Sequence, residues 1–333
     1  MKKIFKVGLV GCGLIGNKRA KALGKNGVLT ACFDIDIIKA QLLSKVTKAR
    51  VCSNWQELVS SEEVEVVIIA TRHDSLAEIT IAAAEHGKHV LVEKPGAKNV
   101  SEIKTIIAVT KKSSVKIHVG FNHRFHHSLR KAKEIINTGE LGELMFIRGR
   151  YGHGGRLGYE KEWRADPKLS GGGELIDQGT HLIDLSRWFL GEFSDVEGYA
   201  CNYFWSMPVE DNSFMTLKTS ENKVAFLQAS CTEWKNLFSF EIYCKLGKID
   251  LSGLGGSYGL EKVTLYKMLP EMGPPKTISW QYPMADNSWG LEIDDFFENI
   301  RLNKDPTTSL TDAHAVLMTV ETIYKKSGYD YYA

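Results

Sequence analysis

An apolar run, Ile4 to Val10, passes into Gly11-Cys12-Gly13-Leu14-Ile15-Gly16 and then into a helical stretch from Asn17 to about Lys25. A second β-rich run, Val28 to Phe33, follows and ends on Asp34, 18 residues past the last of those glycines. Glycines at this spacing are a weak signal alone. Set after a first strand, opening a helix and followed by an acid at the end of the second strand, they specify a βαβ unit that binds a dinucleotide. Gly11 permits the tight turn, Gly13 lets the backbone approach a pyrophosphate, and Gly16 lets helix and strand pack closely. The helix opening at Leu14 and Ile15 offers free N–H groups and its positive dipole end to the phosphates. Asp34 accepts from the adenosine ribose hydroxyls and repels a 2′-phosphate, which favours NAD over NADP, with Lys39 and Lys45 nearby as candidate partners for a phosphate.

The rhythm continues. Val64 to Ala70 reads as a strand buried on both faces. Leu76 to His86 is helical, and His89 to Val92 is a strand that ends on Glu93-Lys94-Pro95. Ser101 to Lys111 is helical and Val115 to Gly120 extended. Strands alternating with helices give an α/β fold with a doubly wound parallel (Rossmann) sheet. The alternation stops near Phe121, which sets a dinucleotide-binding domain at 1–121 and a second, substrate-binding and oligomerisation domain at 122–333.

In the second part Phe238, Phe240, Ile242 and Cys244 share one face with period two. With Leu144 to Tyr151, Val224 to Trp234 and Ile249 to Leu251 they predict an α+β domain with a large, mostly antiparallel open sheet. Helices near Ser128 to Thr138 and Glu174 to Leu190 cover one side. Asp286 to Leu302 and Ser309 to Lys326 are terminal helices, the last expected to pack back on the first domain. An open sheet needs its far face covered or paired with another subunit, so a homo-oligomer, dimer or tetramer, is expected through this sheet.

Bulk properties narrow the function. A net charge of +2 gives no reason to expect nucleic acid or a membrane surface as partner. No apolar run approaches the roughly 18 residues that span a bilayer. Gly8, Gly11 and Gly13 break the N-terminal run that would otherwise mimic a signal peptide. Six scattered cysteines without a CxxC pair read as reduced thiols in a cytoplasmic protein.

The stretch "GGGELIDQGTHLID", Gly171 to Asp184, opens a helix with three glycines and then sets Asp177 and His181 four residues apart on one face. Together with "VGLVGCGLIG", "GKHVLVEKP" (Gly87 to Pro95) and "GFNHRF" (Gly120 to Phe125), it makes the chain resemble the glucose-fructose oxidoreductase / inositol dehydrogenase / MocA-type (Gfo/Idh/MocA) family over essentially its whole length. The resemblance implies NAD(P)-dependent dehydrogenase chemistry on CH–OH, with Lys94, Asp177 and His181 as the catalytic group. The chemistry of the residues agrees. Oxidising a secondary alcohol removes a hydroxyl proton as hydride leaves the same carbon, and a base titrating near neutrality suits His181. Asp177 touches the same substrate or orients the imidazole. Lys94, at a strand's C-terminal end where such sheets bind ligands, stabilises developing alkoxide or, with its pKa lowered by oxidised nicotinamide, serves as the base itself. The glycines are expected to let sugar and nicotinamide approach the backbone and to leave helix N–H groups free.

One loop departs from the family. After "IIAT" a Pro-Asn pair and a histidine are expected; here Thr71-Arg72-His73-Asp74-Ser75-Leu76 stands instead. Thr71, His73, Glu93 and Lys94 are the expected cofactor contacts besides the fingerprint. Asn122, Arg124, His153 and Arg164 join Lys94, Asp177 and His181 as candidate substrate contacts, Arg164 with a structural salt bridge as its alternative and His153 on a loop able to close over substrate. His123, His126 and His127 have metal-like proximity but no neighbouring acid or cysteine, so no metal is expected. The substrate class is a sugar, nucleotide-sugar or cyclic polyol, with length between Ser252 and Pro275 leaving room for a larger one. The rivals are an NAD-dependent glycosidase that oxidises C3 transiently and a catalytically silent NAD-binding regulator.

Overall fold

The computed structural model describes residues 3–111, 113–271 and 273–331. The chain divides into two compact units, Met1–Phe121 with Trp289–His314, and Asn122–Ser288 with Ala315–Ala333.

In the first unit six parallel strands, β1 (Phe5–Val10), β2 (Gly27–Phe33), β3 (Arg50–Val51), β4 (Val66–Ile69), β5 (His89–Glu93) and β6 (Ile117–Gly120), run in the order β3-β2-β1-β4-β5-β6. The order reverses direction between β1 and β4, the switch point where such sheets bind ligands. Helices α1 (Leu14–Ala22), α2 (Ile37–Thr47), α3 (Trp55–Ser60), α4 (His73–Glu85) and α5 (Val100–Thr110) connect the strands. All four residues of β4 are buried, as its unbroken apolar sequence requires. The two-residue β3 and the short α3 leave no periodic trace in the sequence.

The second unit carries α6 (His127–Asn137), β7 (Leu144–Gly152), α7 (Pro167–Ser170), a π-helical turn (Leu175–Gly179) and α8 (Thr180–Leu190). Then come β8 (Phe193–Cys201), β9 (Asn212–Thr219), β10 (Val224–Ser230), β11 (Leu237–Cys244), β12 (Gly247–Ser252), β13 (Glu261–Lys267) and β14 (Lys276–Tyr282). These strands form one sheet, β14-β13-β12-β11-β7-β10-β9-β8, antiparallel except at the β10–β7 pair. Phe238, Phe240, Ile242 and Cys244 of β11 all point inward, matching their period-two pattern. Within the stretch from Ser252 to Pro275, read as spare length for a large substrate, Glu261–Lys267 form β13.

The second unit is not the continuous run 122–333. Helix α9 (Ser288–Arg301) buries Ile293, Phe296 and Phe297 in the first unit's core beside Phe5, Leu23 and Leu29. Phe297 also packs on Gly27, where a Cβ would lie 3.0 Å from its ring. The division falls inside α10 (Leu310–Lys326), whose later turns belong to the second unit. There Lys326 Nζ donates to the Val196 carbonyl at 2.8 Å, and Ser327 Oγ accepts from the Ala200 amide at 2.8 Å. The helix that returns to the first unit is therefore chiefly α9 rather than the last one.

Candidate active site

Each fingerprint glycine has a distinct reason. Gly11 has φ +94°, and a Cβ there would sit 2.4 Å from the Ala70 carbonyl. A Cβ on Gly16 would sit 1.9 Å from the Gly11 carbonyl. These two are demanded by the protein itself. Gly13 is not: no atom lies within 4 Å of its ideal Cβ position. Its bareness serves something outside the fold, and a pyrophosphate fits that space. The helix ends agree. Helices α2, α3 and α5 begin under side-chain caps from Asp36, Asn54 and Asn99. Helices α1 and α4, which follow the two switch-point strands, have no side-chain cap. The first amides of α1, at Leu14 and Ile15, are placed to meet a ligand.

Asp34 ends β2 with Oδ2 accepting from the Cys12 amide at 2.7 Å and Oδ1 from the Asp36 amide at 2.8 Å. It thereby ties the second strand to the glycine turn, where an adenosine ribose would lie. Thr71 accepts at Oγ1 from the Ser75 hydroxyl at 2.9 Å, and His73 is buried at the start of α4. Glu93 precedes Lys94, whose peptide to Pro95 is cis. Glu93 Oε1 accepts from Arg19 Nε at 2.6 Å. Burial raises its pKa and Arg19 pulls back against that rise. These residues leave the fit to NAD intact, and we expect Gly13→Val to weaken NAD binding about tenfold or more, since crowding the phosphates costs at least 1.4 kcal/mol. Calorimetric titration with NAD checks this; an unchanged Kd removes Gly13 from the site. The melting temperature should hardly move.

In the second unit the opening of the catalytic-candidate helix is not an α-helix but the π turn Leu175–Gly179, which contains Asp177. Such turns recur at functional sites because they re-aim side chains. Asp177 Oδ2 accepts from Arg164 Nε at 2.9 Å, so the salt bridge weighed for Arg164 is present. Arg164 also lies over the Trp163 ring at 4.6 Å. His181 is 5% exposed, and its ring stacks on His123 with centroids 3.6 Å apart and planes 15° apart. Tyr151 meets the His123 ring edge-on at 5.0 Å. His126 instead bonds Glu261 at 3.1 Å, and His127 stacks on Tyr282. Burial acts to raise the Glu261 pKa, but His126 and the Ser128 amide hold it down at about 2. The three histidines thus point to three different partners.

Other expected substrate contacts are engaged within the unit. Arg124 is buried in a two-pronged pair with Asp184, at 2.8 and 2.5 Å. Its charge is met by that carboxylate inside the unit. Asn122 donates to Ser288 Oγ at 3.0 Å and is buried. His153 is tied to neighbouring chain, its amide donating to the Ser230 carbonyl at 2.9 Å and its carbonyl accepting from the Glu233 amide at 3.0 Å, and the Gly155 amide donates to His153 Nδ1 at 3.0 Å. That bond leaves the ring proton on Nε2, which faces Glu174 Oε1 at 3.5 Å.

Two of the glycines stand against groups of the protein itself. A Cβ on Gly172 would sit 2.0 Å from Tyr324 Oη, and one on Gly173 would sit 2.0 Å from the Glu210 carbonyl. The amides of Gly173 and Leu175 are not free either, since both donate to the Glu210 carboxylate. The glycines make room for Glu210 and Tyr324. Sequence reading missed both, along with Arg19, because their partners lie far along the chain and no local pattern marks them.

Two family-wide patterns match: "Oxidoreductase family, NAD-binding Rossmann fold" over residues 5–121 and "GFO/IDH/MocA C-terminal domain" over residues 129–250. The chain belongs to the Gfo/Idh/MocA oxidoreductase family. It is 33% identical to a levoglucosan dehydrogenase of Pseudarthrobacter phenanthrenivorans over 50% of this chain and 43% of that protein. It is 23% identical to inositol 2-dehydrogenase of Salmonella typhimurium over 96% of this chain and 94% of that protein. The chain spans about half the length of the first two curated relatives it matches, 43% and 51%. A solved levoglucosan dehydrogenase in complex with NADH shares the fold, with a TM-score of 0.89 at 22% identity over 98% of this chain and 97% of that one. Among the described residues no helix is long and apolar enough to cross a membrane, and no group of three or more His, Cys, Asp or Glu is placed to hold a metal.

Proposed function

We propose that this chain is an NAD-dependent oxidoreductase moving hydride between the nicotinamide and a secondary hydroxyl of a sugar, nucleotide-sugar or cyclic polyol. The observation that carries the reading is the bare, uncapped Gly13–Leu14 turn beside Asp34 in a chain that also retains Lys94, Asp177 and His181. NAD, when bound, supplies the hydride acceptor. His181 takes the hydroxyl proton as the C–H bond gives up its hydride, leaving a carbonyl. Asp177, already neutralised by Arg164, acts as an acceptor that orients the substrate rather than as the base. Lys94 stabilises the developing alkoxide. His153, whose Nε2 proton faces Glu174, is a further substrate donor where a substrate hydroxyl takes the place of that long 3.5 Å contact. The polyol and anhydrosugar dehydrogenases among the relatives support this substrate class.

The test is production of NADH, followed at 340 nm, with NAD and a panel of sugars, inositols and nucleotide sugars. Net NADH from one compound supports the reading. Glycoside cleavage without net NADH would turn it towards the glycosidase, and NAD binding without either towards a silent regulator.

The same reading includes a homo-oligomer through the second unit's open face. There Phe226 is 55% exposed and Phe146, Arg148 and Arg150 share the surface with it. A patch of this kind on a wide sheet is what a stable subunit contact covers. Phe226→Asp with Arg150→Glu should lower the mass seen by light scattering to that of one chain while NAD binding persists. A wild-type protein that is already monomeric at micromolar concentration removes the oligomer.

A further inference from the structure

We propose that Glu210 is a positioning residue for the reaction, its carboxylate clasped by Tyr324 and Tyr331 and holding the amides that launch the Asp177-bearing turn. The inference rests on the reading of Asp177 and His181 as the residues that handle substrate.

Glu210 is fully buried and lies just before β9. Its carboxylate accepts from the Gly173 amide at 3.1 and 3.0 Å and from the Leu175 amide at 2.9 Å. Its backbone carbonyl accepts from the intervening Glu174 amide at 3.2 Å. One residue therefore holds three consecutive amides at the entry to the π turn. Gly173 in turn passes the constraint on, because its carbonyl accepts from the Asp177 amide at 3.0 Å. The other side of the carboxylate is held from α10 and the segment after it. Tyr324 Oη donates at 2.7 Å and Tyr331 Oη at 3.1 Å. The rings of Tyr324 and Tyr331 meet edge-on at 4.8 Å.

The clasp has no slack. Gly172 stands against Tyr324 Oη and Gly173 against the Glu210 carbonyl, each where a Cβ would lie 2.0 Å away. A helix needing only a start would be satisfied by one Ser or Asp cap. Here a buried acid, two tyrosines and two obligatory glycines converge on one turn. That concentration fits a site whose side chain must be placed to within a fraction of an ångström.

Glu210→Gln keeps the shape and removes the charge, and its amide nitrogen can no longer accept. Tyr331→Phe removes one donor at the periphery and serves if the first variant does not fold. Two measurements decide. Hydrogen exchange followed by mass spectrometry should show the amides of Gly173 to Asp177 exchanging about tenfold faster, with peptides of β1 to β6 unchanged. With the substrate found at 340 nm, turnover at saturation should fall about 10²-fold while KM and the NAD Kd move little. Unchanged exchange in the turn overturns the proposal. So does faster exchange spread over both units with KM and turnover worsening together, which marks a purely structural residue. If the wild type oxidises nothing in the panel, the proposed activity fails and the exchange comparison alone decides for or against Glu210.

Discussion

Replacing His181 by alanine should cut turnover roughly 10²–10⁴-fold, the range that a positioned general base contributes, while the NAD Kd stays near wild type. The reason lies in the division of labour. On the proposed reading the NAD contacts belong to the first unit, through Gly13, the α1 amides and Asp34. His181 belongs to the second, buried against His123. Removing its ring leaves the nucleotide-binding unit untouched. Lys94→Ala should cost a similar factor if the lysine stabilises an alkoxide, since removing one such donor costs about 10²–10³. The pH profile then separates the two residues. With His181 as base, the acidic limb of the wild-type kcat/KM profile disappears in His181→Ala and persists in Lys94→Arg. With Lys94 as base, the pattern reverses. NADH production by His181→Ala at the wild-type rate would sink its assignment outright.

The legible parts of this protein were those written locally. The parallel sheet announces itself because each βα step is complete within about 30 residues and its apolar runs are buried on both faces. The fingerprint was legible for the same reason: Gly11, Gly13, Gly16 and Asp34 act within one βαβ unit. What the sequence hid were partnerships across distance. Periodicity shows that α9 has an apolar stripe, but not that the stripe joins the core containing Phe5 and Leu29. Three glycines declare that no side chain fits, but not that Tyr324 stands against Gly172 and Glu210 against Gly173. Arg124 looked available because nothing near it in sequence neutralises it; Asp184, 60 residues on, does. Asp177 and His181 stand out in the sequence through their spacing, yet the π turn that carries Asp177 has no sequence period of its own.

Arg19 is the residue whose loss should destabilise the protein most. Arg19→Met is expected to cost about 3–5 kcal/mol, the usual penalty for removing one partner of a buried ion pair. Arg19 is completely buried on α1. Its Nε donates to Glu93 at 2.6 Å, its Nη1 to Glu292 of α9, and its guanidinium lies 4.5 Å from the Trp289 ring. Gly120 must be bare because a Cβ would come 2.7 Å from Arg19 Nη2. The group thus ties the cofactor helix, the strand end bearing Lys94 and α9 together. His118 closes it: Thr308 donates its hydroxyl proton to the Val119 carbonyl at 2.6 Å, so His118 Nε2 is the donor towards Thr308 at 2.7 Å. Glu292 Oε1 lies 3.3 Å from the same nitrogen. Methionine fills most of the volume but strands two carboxylates without their cation. The urea midpoint of the transition that abolishes NAD binding measures the loss. Its pH dependence gives the sign. Burial acts to raise the Glu292 pKa, but Arg19 and His118 outweigh it and hold the carboxyl below its ordinary value. A carboxylate with a lowered native pKa contributes its full stability above the unfolded value of about 4.3 and loses it as pH falls through the native one. Without Arg19 the stranded carboxylates take up protons at higher pH than before, so the gap between variant and wild type should narrow from pH 7 to pH 5. Adding Glu292→Gln to Arg19→Met should recover part of the loss, because the polar group left behind no longer carries a charge. A variant within 1 kcal/mol of wild type at pH 7, or a gap that widens on acidification, would mean that the buried charges are compensated by something other than Arg19.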